Sequence, residues 1–132
     1  MLYCLDSNAV SDILRQSYSV EQNMEDALQK RHKVAICPIV YYEIVRGLRI
    51  VNSKRKMNEF FKLYKETFVK LEFNYQAAKK AAEIYDQLHR GQQIEDNDIY
   101  IAAVAIVNDC TLITANDKHF SRIAGLKVEN WR

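Results

Sequence analysis

Short apolar runs alternate along this chain with stretches whose apolar residues recur at helical spacing. Met1-Leu-Tyr-Cys-Leu5 is an apolar run stopped by Asp6-Ser7-Asn8, the pattern of a strand buried on both faces. Ser7 or Asn8 can cap a following helix whose inward side is Val10, Ile13 and Leu14. Ser19 to Arg31 is amphipathic, with Val20, Met24, Ala27 and Leu28 on one face. Val34 to Cys37 is a second strand, and Pro38 suits the first turn of the next helix. Ile39, Val40, Ile44, Leu48 and Val51 form that helix's apolar side. Ser53 to Phe68 predicts a helix with Met57, Phe60, Phe61 and Tyr64 at core spacing, and Val69 to Leu71 a third strand. Tyr75 to Arg90 predicts a long helix with Ala78, Ala81, Ala82, Tyr85 and Leu88 inward, ended by Gly91. In Ile94 to Thr114, Ile99, Ala102, Ala103 and Ile106 mark a buried helix with Asn97 as its N-cap; Asn108-Asp109 breaks it, and Cys110 to Thr114 is a fourth strand. Lys118 to Phe120 reads as a helical turn and Leu126 to Val128 as a last edge strand, before Trp131. Such alternation predicts a single α/β domain over residues 1–132. Its expected form is three α/β/α layers around a central, mostly parallel sheet of about five short strands.

Acidic residues fall at informative places in that scheme. Asp6 stands at the carboxyl end of the first strand, where open parallel sheets bind ligands. Glu43 interrupts the inward stripe of its helix, a costly position for a carboxylate unless it is paired or metal-bound. Arg46 and Arg49, on nearby turns, are the pairing alternative. Asp96 and Asp98 open the buried helix, where the dipole favours a carboxylate. Asn116 and Asp117 follow the fourth strand. Read singly, Asp6, Asp96 and Asp98 are equally accounted for as helix-capping acids. Read together, they can converge on one sheet edge. All-oxygen donors of this kind suit Mg²⁺ or Mn²⁺. A cation so held activates water and stabilises charge on a phosphodiester. Gly47, one turn after Glu43, costs about 1 kcal/mol relative to alanine inside a helix. Close approach of another backbone, or of a ligand, would explain it.

Composition narrows the possibilities further. With 19 Lys+Arg against 17 Asp+Glu the net charge is only +2, so any polyanion site must be a local basic patch beside an acidic one. The aromatic stripe of Ser53–Phe68, near Lys54-Arg55-Lys56 and Lys62, can stack bases but is more simply core or a protein interface. The chain has only three glycines and no GxxxxGK[ST] or GxGxxG, which argues against a nucleotide-cradling loop and favours nucleic acid as substrate. Cys4, Cys37 and Cys110 lack CxxC spacing and read as buried free thiols; the three histidines form no zinc pattern. No apolar run approaches the ~18 residues of a membrane span, and no signal peptide is evident. A soluble, intracellular (cytoplasmic) protein is expected. A phosphoacceptor receiver domain also gathers acids at strand ends, but neither Val34–Cys37 nor Val69–Leu71 is followed by the required Asp.

Four segments in order carry a family resemblance. LDSNAVSDIL, ICPIVYYEIVRGL, DIYIAAVAI and LITANDKHFSRIAGLKVENW resemble the successive elements of PIN-domain ribonucleases, of the VapC type that act as toxins of toxin–antitoxin pairs. The resemblance covers essentially the whole chain. It implies Asp6 and Asp98 as direct metal ligands, with Glu43 completing the acidic site, often through a water. Thr114 and Asn116 are implied as polar support. The family's fourth acidic position falls on Asn116, with Asp117 adjacent, so either can face the metal. Asp96 is an additional acid: a ligand, a residue for a second metal, or a solvated cap. The expected activity is Mg²⁺- or Mn²⁺-dependent hydrolysis of RNA, leaving 5′-phosphate and 3′-hydroxyl ends. Arg46 and Lys118 are candidates to hold flanking phosphates. The implied partners are an RNA substrate, a small antitoxin and a second copy of the chain. The rival expectation is an inert PIN-like module that binds RNA or protein.

Overall fold

The computed structural model describes residues 1–88 and 94–132. In chain order its elements are β1 (Leu2–Leu5), α1 (Ser7–Leu14), α2 (Tyr18–Gln29), β2 (Lys33–Ile36), α3 (Pro38–Val51) and α4 (Lys54–Glu66). There follow β3 (Val69–Lys70), α5 (Tyr75–Gln87), α6 (Asp96–Val107), β4 (Thr111–Ile113), α7 (Asp117–Phe120) and β5 (Lys127–Glu129). All the strand pairs are parallel, in the order β3-β2-β1-β4-β5. From β1 the chain winds outward through β2 to β3, then crosses to the other side of β1 to place β4 and β5. Right-handed crossovers in opposite directions put their helices on opposite faces of the sheet. The reversal of winding lies between β1 and β4, whose register sets Leu5 beside Ile113. Open α/β sheets bind ligands beyond the strand ends at such a point.

Burial follows the apolar pattern where strands and the central helix are concerned. Cys4, Leu5, Val34, Ala35 and Leu112 are all sealed, as are Ala102 to Ala105 of α6. A helix apolar on every side belongs inside. The three cysteines are buried free thiols, and burial pushes each of them above its ordinary pKa. Among the described residues no helix is long and apolar enough to cross a membrane.

Several local expectations are corrected. The N-cap of α1 is Asp6, whose side chain accepts from the Ala9 N–H, rather than Ser7 or Asn8. The cap of α6 is Glu95, not Asn97, which lies inside the first turn. On α5 the buried residues are Ala77, Ala81 and Ile84, whereas Ala78, Ala82 and Tyr85 are exposed. The small residues matched two helical faces, and α6 selects the Ala77 face by packing along it. Val51, expected inward, is 64% exposed because α3 outruns the core in its last turn. Arg90 and Gly91, expected to end α5, lie outside the described residues.

Candidate active site

The sheet supplies the first acid. The Asp6 N–H donates to the Ile113 carbonyl at 3.1 Å, continuing the β1–β4 ladder by one step and fixing Asp6 at the switch point. Its side chain is turned into the start of α1 and is only 5% exposed. Just beyond β4, the fully buried Thr114 hydroxyl accepts the Asn116 N–H at 3.0 Å and lies close enough to the Asp6 carboxylate to favour its ionised form. Burial pushes the Asp6 carboxyl above its ordinary pKa; the bonds from Thr114 and Ala9 oppose that rise, and the charges of Asp98 and Asp12 add to it.

Two helices bring the other acids. Glu43 comes from the second turn of α3, and each of its oxygens is held. Ser7 Oγ donates to Oε1 at 2.5 Å and Asn97 Nδ2 to Oε2 at 3.3 Å. Ser7 follows Asp6 and Asn97 precedes Asp98, so Glu43 spans the two strand-end and helix-start acids through their chain neighbours. The alternative, pairing of Glu43 with Arg46 or Arg49, is not formed. Arg46 is exposed, lies over the Tyr42 ring at 5.0 Å and donates to the Tyr42 hydroxyl at 3.4 Å. Asp98 sits in the first turn of α6, half-buried. Desolvation raises its pKa, His119 lowers it, and Glu43 and Glu95 raise it further.

His119 is the residue that sequence reading missed. Its Nε2 lies 3.5 Å from Asp98 Oδ2, whereas Lys118, a candidate to hold a flanking phosphate, is exposed. The one available signal was its spacing within TANDKHF: α7 begins at Asp117 and turns position 119 back toward the acids. Ser7 was likewise weighed only as a cap.

Three expected site residues stand apart. Asp96 is exposed and lines a groove with Phe73, Tyr85 and Tyr100. Two residues along a helix turn a side chain about 200°, so Asp96 and Asp98 face opposite ways. Asp117 accepts from Asn130 Nδ2 at 3.4 Å, and Asn116 is exposed, contributing its backbone N–H.

The charge of Asp98 reaches Asp6 and that of Glu43 reaches Asp98, so the three acids are neighbours, yet among the described residues no three His, Cys, Asp or Glu side chains gather closely enough to hold one ion together. The donor set nonetheless fits a hard divalent cation. Asp6 and Asp98 repel one another, and among the described residues neither Asp6 nor Glu43 has an ion-pair partner. Mg²⁺ commonly rests on one or two carboxylates and fills its remaining positions with waters and phosphate oxygens.

The sequence matches the PIN domain family over residues 3–126. It is 32% identical over 133 residues to "Ribonuclease VapC2" of Rickettsia felis, covering 99% of this chain and 98% of that one. With "Ribonuclease VapC1" of Methanocaldococcus jannaschii it shares 36% identity over 97 residues, covering 71% of this chain and 68% of the relative. Among solved structures, VapBC2 from Rickettsia felis bound to a DNA fragment from its promoter superposes with a TM-score of 0.85 at 29% identity, covering both chains fully. VapBC-1 from nontypeable Haemophilus influenzae gives 0.82 at 25% identity, covering 99% of this chain and 98% of that one.

Proposed function

The chain belongs to the PIN-domain family, among its VapC-type members, and on that premise we propose that it is an endoribonuclease serving as the toxin of a toxin–antitoxin pair. The observation that carries this reading is the bonding of Glu43 to Ser7 and Asn97, the chain neighbours of Asp6 and Asp98, beside the β1–β4 switch point. Asp6 and Asp98 would hold Mg²⁺ or Mn²⁺, which when bound supplies a water of lowered pKa and charge stabilisation for in-line displacement at phosphorus. Thr114, beside Asp6, favours its ionised carboxylate, and His119 positions Asp98. Glu43, its plane set by Ser7 and Asn97, accepts a hydrogen bond from the attacking water. That water's oxygen bonds to phosphorus as the P–O3′ bond breaks; its proton passes to Glu43 and the departing 3′-oxygen takes one from solvent, leaving a 5′-phosphate and a 3′-hydroxyl.

The relatives' names and the toxin–antitoxin complexes support a small protein antitoxin as partner. A second copy of the chain is a further partner in this reading. α4 offers part of a contact surface, since Phe60 is sealed in the core while Phe61 is 39% exposed beside it. The test is cleavage of cellular RNA with sequencing of the new ends, wild type against Asp6→Ala. Chelation by EDTA should silence the wild type, and Mg²⁺ or Mn²⁺ should restore it. A competing reading, a catalytically inert binding module, draws on the lack of a three-ligand cluster among the described residues. Calorimetric titration with Mn²⁺ separates the two, because the inert module takes up no ion that Asp98→Asn abolishes.

A further inference from the structure

Gly47 is a helical residue whose type no contact of the fold explains. It lies inside α3, one turn beyond Glu43, without a positive φ. A Cβ built there meets nothing within 4 Å. No other backbone lies within 4 Å of it, so close packing within the chain does not account for the glycine, and the open space beside it has room for a ligand. The open space is a cleft of about 220 Å³ between α1, α3 and α4, with Glu43 in its wall and Gly47, Leu14 and Ile44 also lining it. Two cations, Arg15 and Lys56, line the same cleft. Lys56 takes part in no ion pair among the described residues, and Arg15 uses one guanidinium nitrogen on Asp12.

We propose that this cleft carries the RNA strand flanking the scissile bond, with the sugar–phosphate chain passing over Gly47 and a phosphate between Arg15 and Lys56. The inference rests on the nuclease reading and adds a path for its substrate. Asp6, Glu43 and Asp98 repel a polyanion, so an RNA must be held by charge placed just outside them. The protein's net charge of +2 supplies no bulk attraction, and a local pair of cations must do it. The cleft meets both needs: it is continuous with the acids through Glu43, and its cations have the sign a phosphate requires. A missing side chain at Gly47 lets the strand lie against the helix backbone.

The test is anisotropy of a fluorescein-labelled, randomised single-stranded RNA with the full chain in EDTA at low salt, beside thermal melts. Gly47→Ala should melt at or above the wild-type temperature, since alanine suits a helix interior better and nothing clashes. Gly47→Leu, which fills the cleft with a good helix former, should keep its melting temperature and weaken RNA binding about tenfold. Lys56→Ala should lower the slope of log K against log salt by about 0.7, the loss of one phosphate contact on a single strand. Lys65→Ala, on α4 outside the cleft, should do neither. Wild-type affinity in Gly47→Leu, no binding by the wild type, or a fall in melting temperature for Gly47→Ala overturns the inference. So does a Gly47→Leu variant that binds RNA normally but no longer retains a co-expressed protein partner, because the cleft is then a protein groove. A wild type that binds RNA through this cleft without cutting it sinks the nuclease reading alone. One that cuts RNA while Gly47→Leu binds and cuts equally well sinks the cleft alone.

Discussion

Two aspartates six positions apart in the chain are buried to the same degree and end in opposite chemistry. Asp6 is 5% exposed and Asp12 is 4% exposed. Asp12 faces Arg15 at 2.5 Å and is gripped by Arg132 at 2.8 and 3.1 Å. Burial raises its pKa, but the bonds and charges of Arg132 and Arg15 outweigh that and hold it below the ordinary carboxylate range. Asp6 has neutral donors only, and its carboxyl is raised. Burial of a carboxylate thus says nothing about its role until its partners are counted. Asp12 has its counter-charge within the chain and is a structural tie between α1 and the segment after β5. Asp6 lacks one, and that deficit is what a bound divalent cation would relieve.

The sharpest way to break the contrast is Asp6→Asn. Cleavage should fall by about a hundred- to a thousandfold, the range lost when a major stabilising group is removed from a reacting centre. The same variant should melt higher than wild type at neutral pH. The folded pKa of Asp6 lies above its unfolded value, so ionisation works against folding once pH rises through the folded value. Asparagine removes that cost while keeping the helix cap. The gain should vanish below about pH 3.9, the ordinary value for the unfolded side chain. Activity retained, or a melting temperature that drops, would make Asp6 another Asp12.

Next in size is His119→Ala, expected to lower cleavage or metal affinity by about 10- to 100-fold, as for other partners that orient a ligand. Single-turnover rates at saturating and limiting Mn²⁺ would show which quantity moves. Ser7→Ala removes one of two anchors on Glu43 and should cost less than tenfold in the same assay. Asp12→Asn should leave cleavage per folded molecule unchanged and lower the melting temperature by a few degrees; the effect is small because both arginines are more than half exposed. Its sign follows from the lowered folded pKa. The stabilisation is complete above the unfolded value near 3.9 and is lost as pH falls through the lower folded value. The wild type and Asp12→Asn should therefore converge in acid. Loss of cleavage in a fully folded Asp12→Asn would erase the distinction between the two aspartates.

Much of the candidate site was legible before any coordinates. Glu43 on an inward stripe broke a local rule, whereas Asp6 after an apolar run and Asp98 before a buried helix stood out only when the acids were read together, since each alone is an ordinary helix-capping acid. His119 broke none, since a lone histidine in a polar turn carries no periodic signal. Asp96 looked as good as Asp98 because composition does not register the rotation of about 200° between them. Asp12 was invisible because its main partner, Arg132, lies 120 positions away.

The sequence by itself determined the alternation of strands and helices, the parallel sheet and the acids that end or open its elements, because strand and helix periodicity, caps and turn residues act over a few neighbours. Only the tertiary structure decided that β4 lies against β1 and so brings Thr114 to Asp6, that α5 turns its Ala77 face inward, and that α7 aims His119 at Asp98. Those outcomes depend on which distant segments pack together, a choice made by the summed burial of the whole core rather than by any stretch of chain.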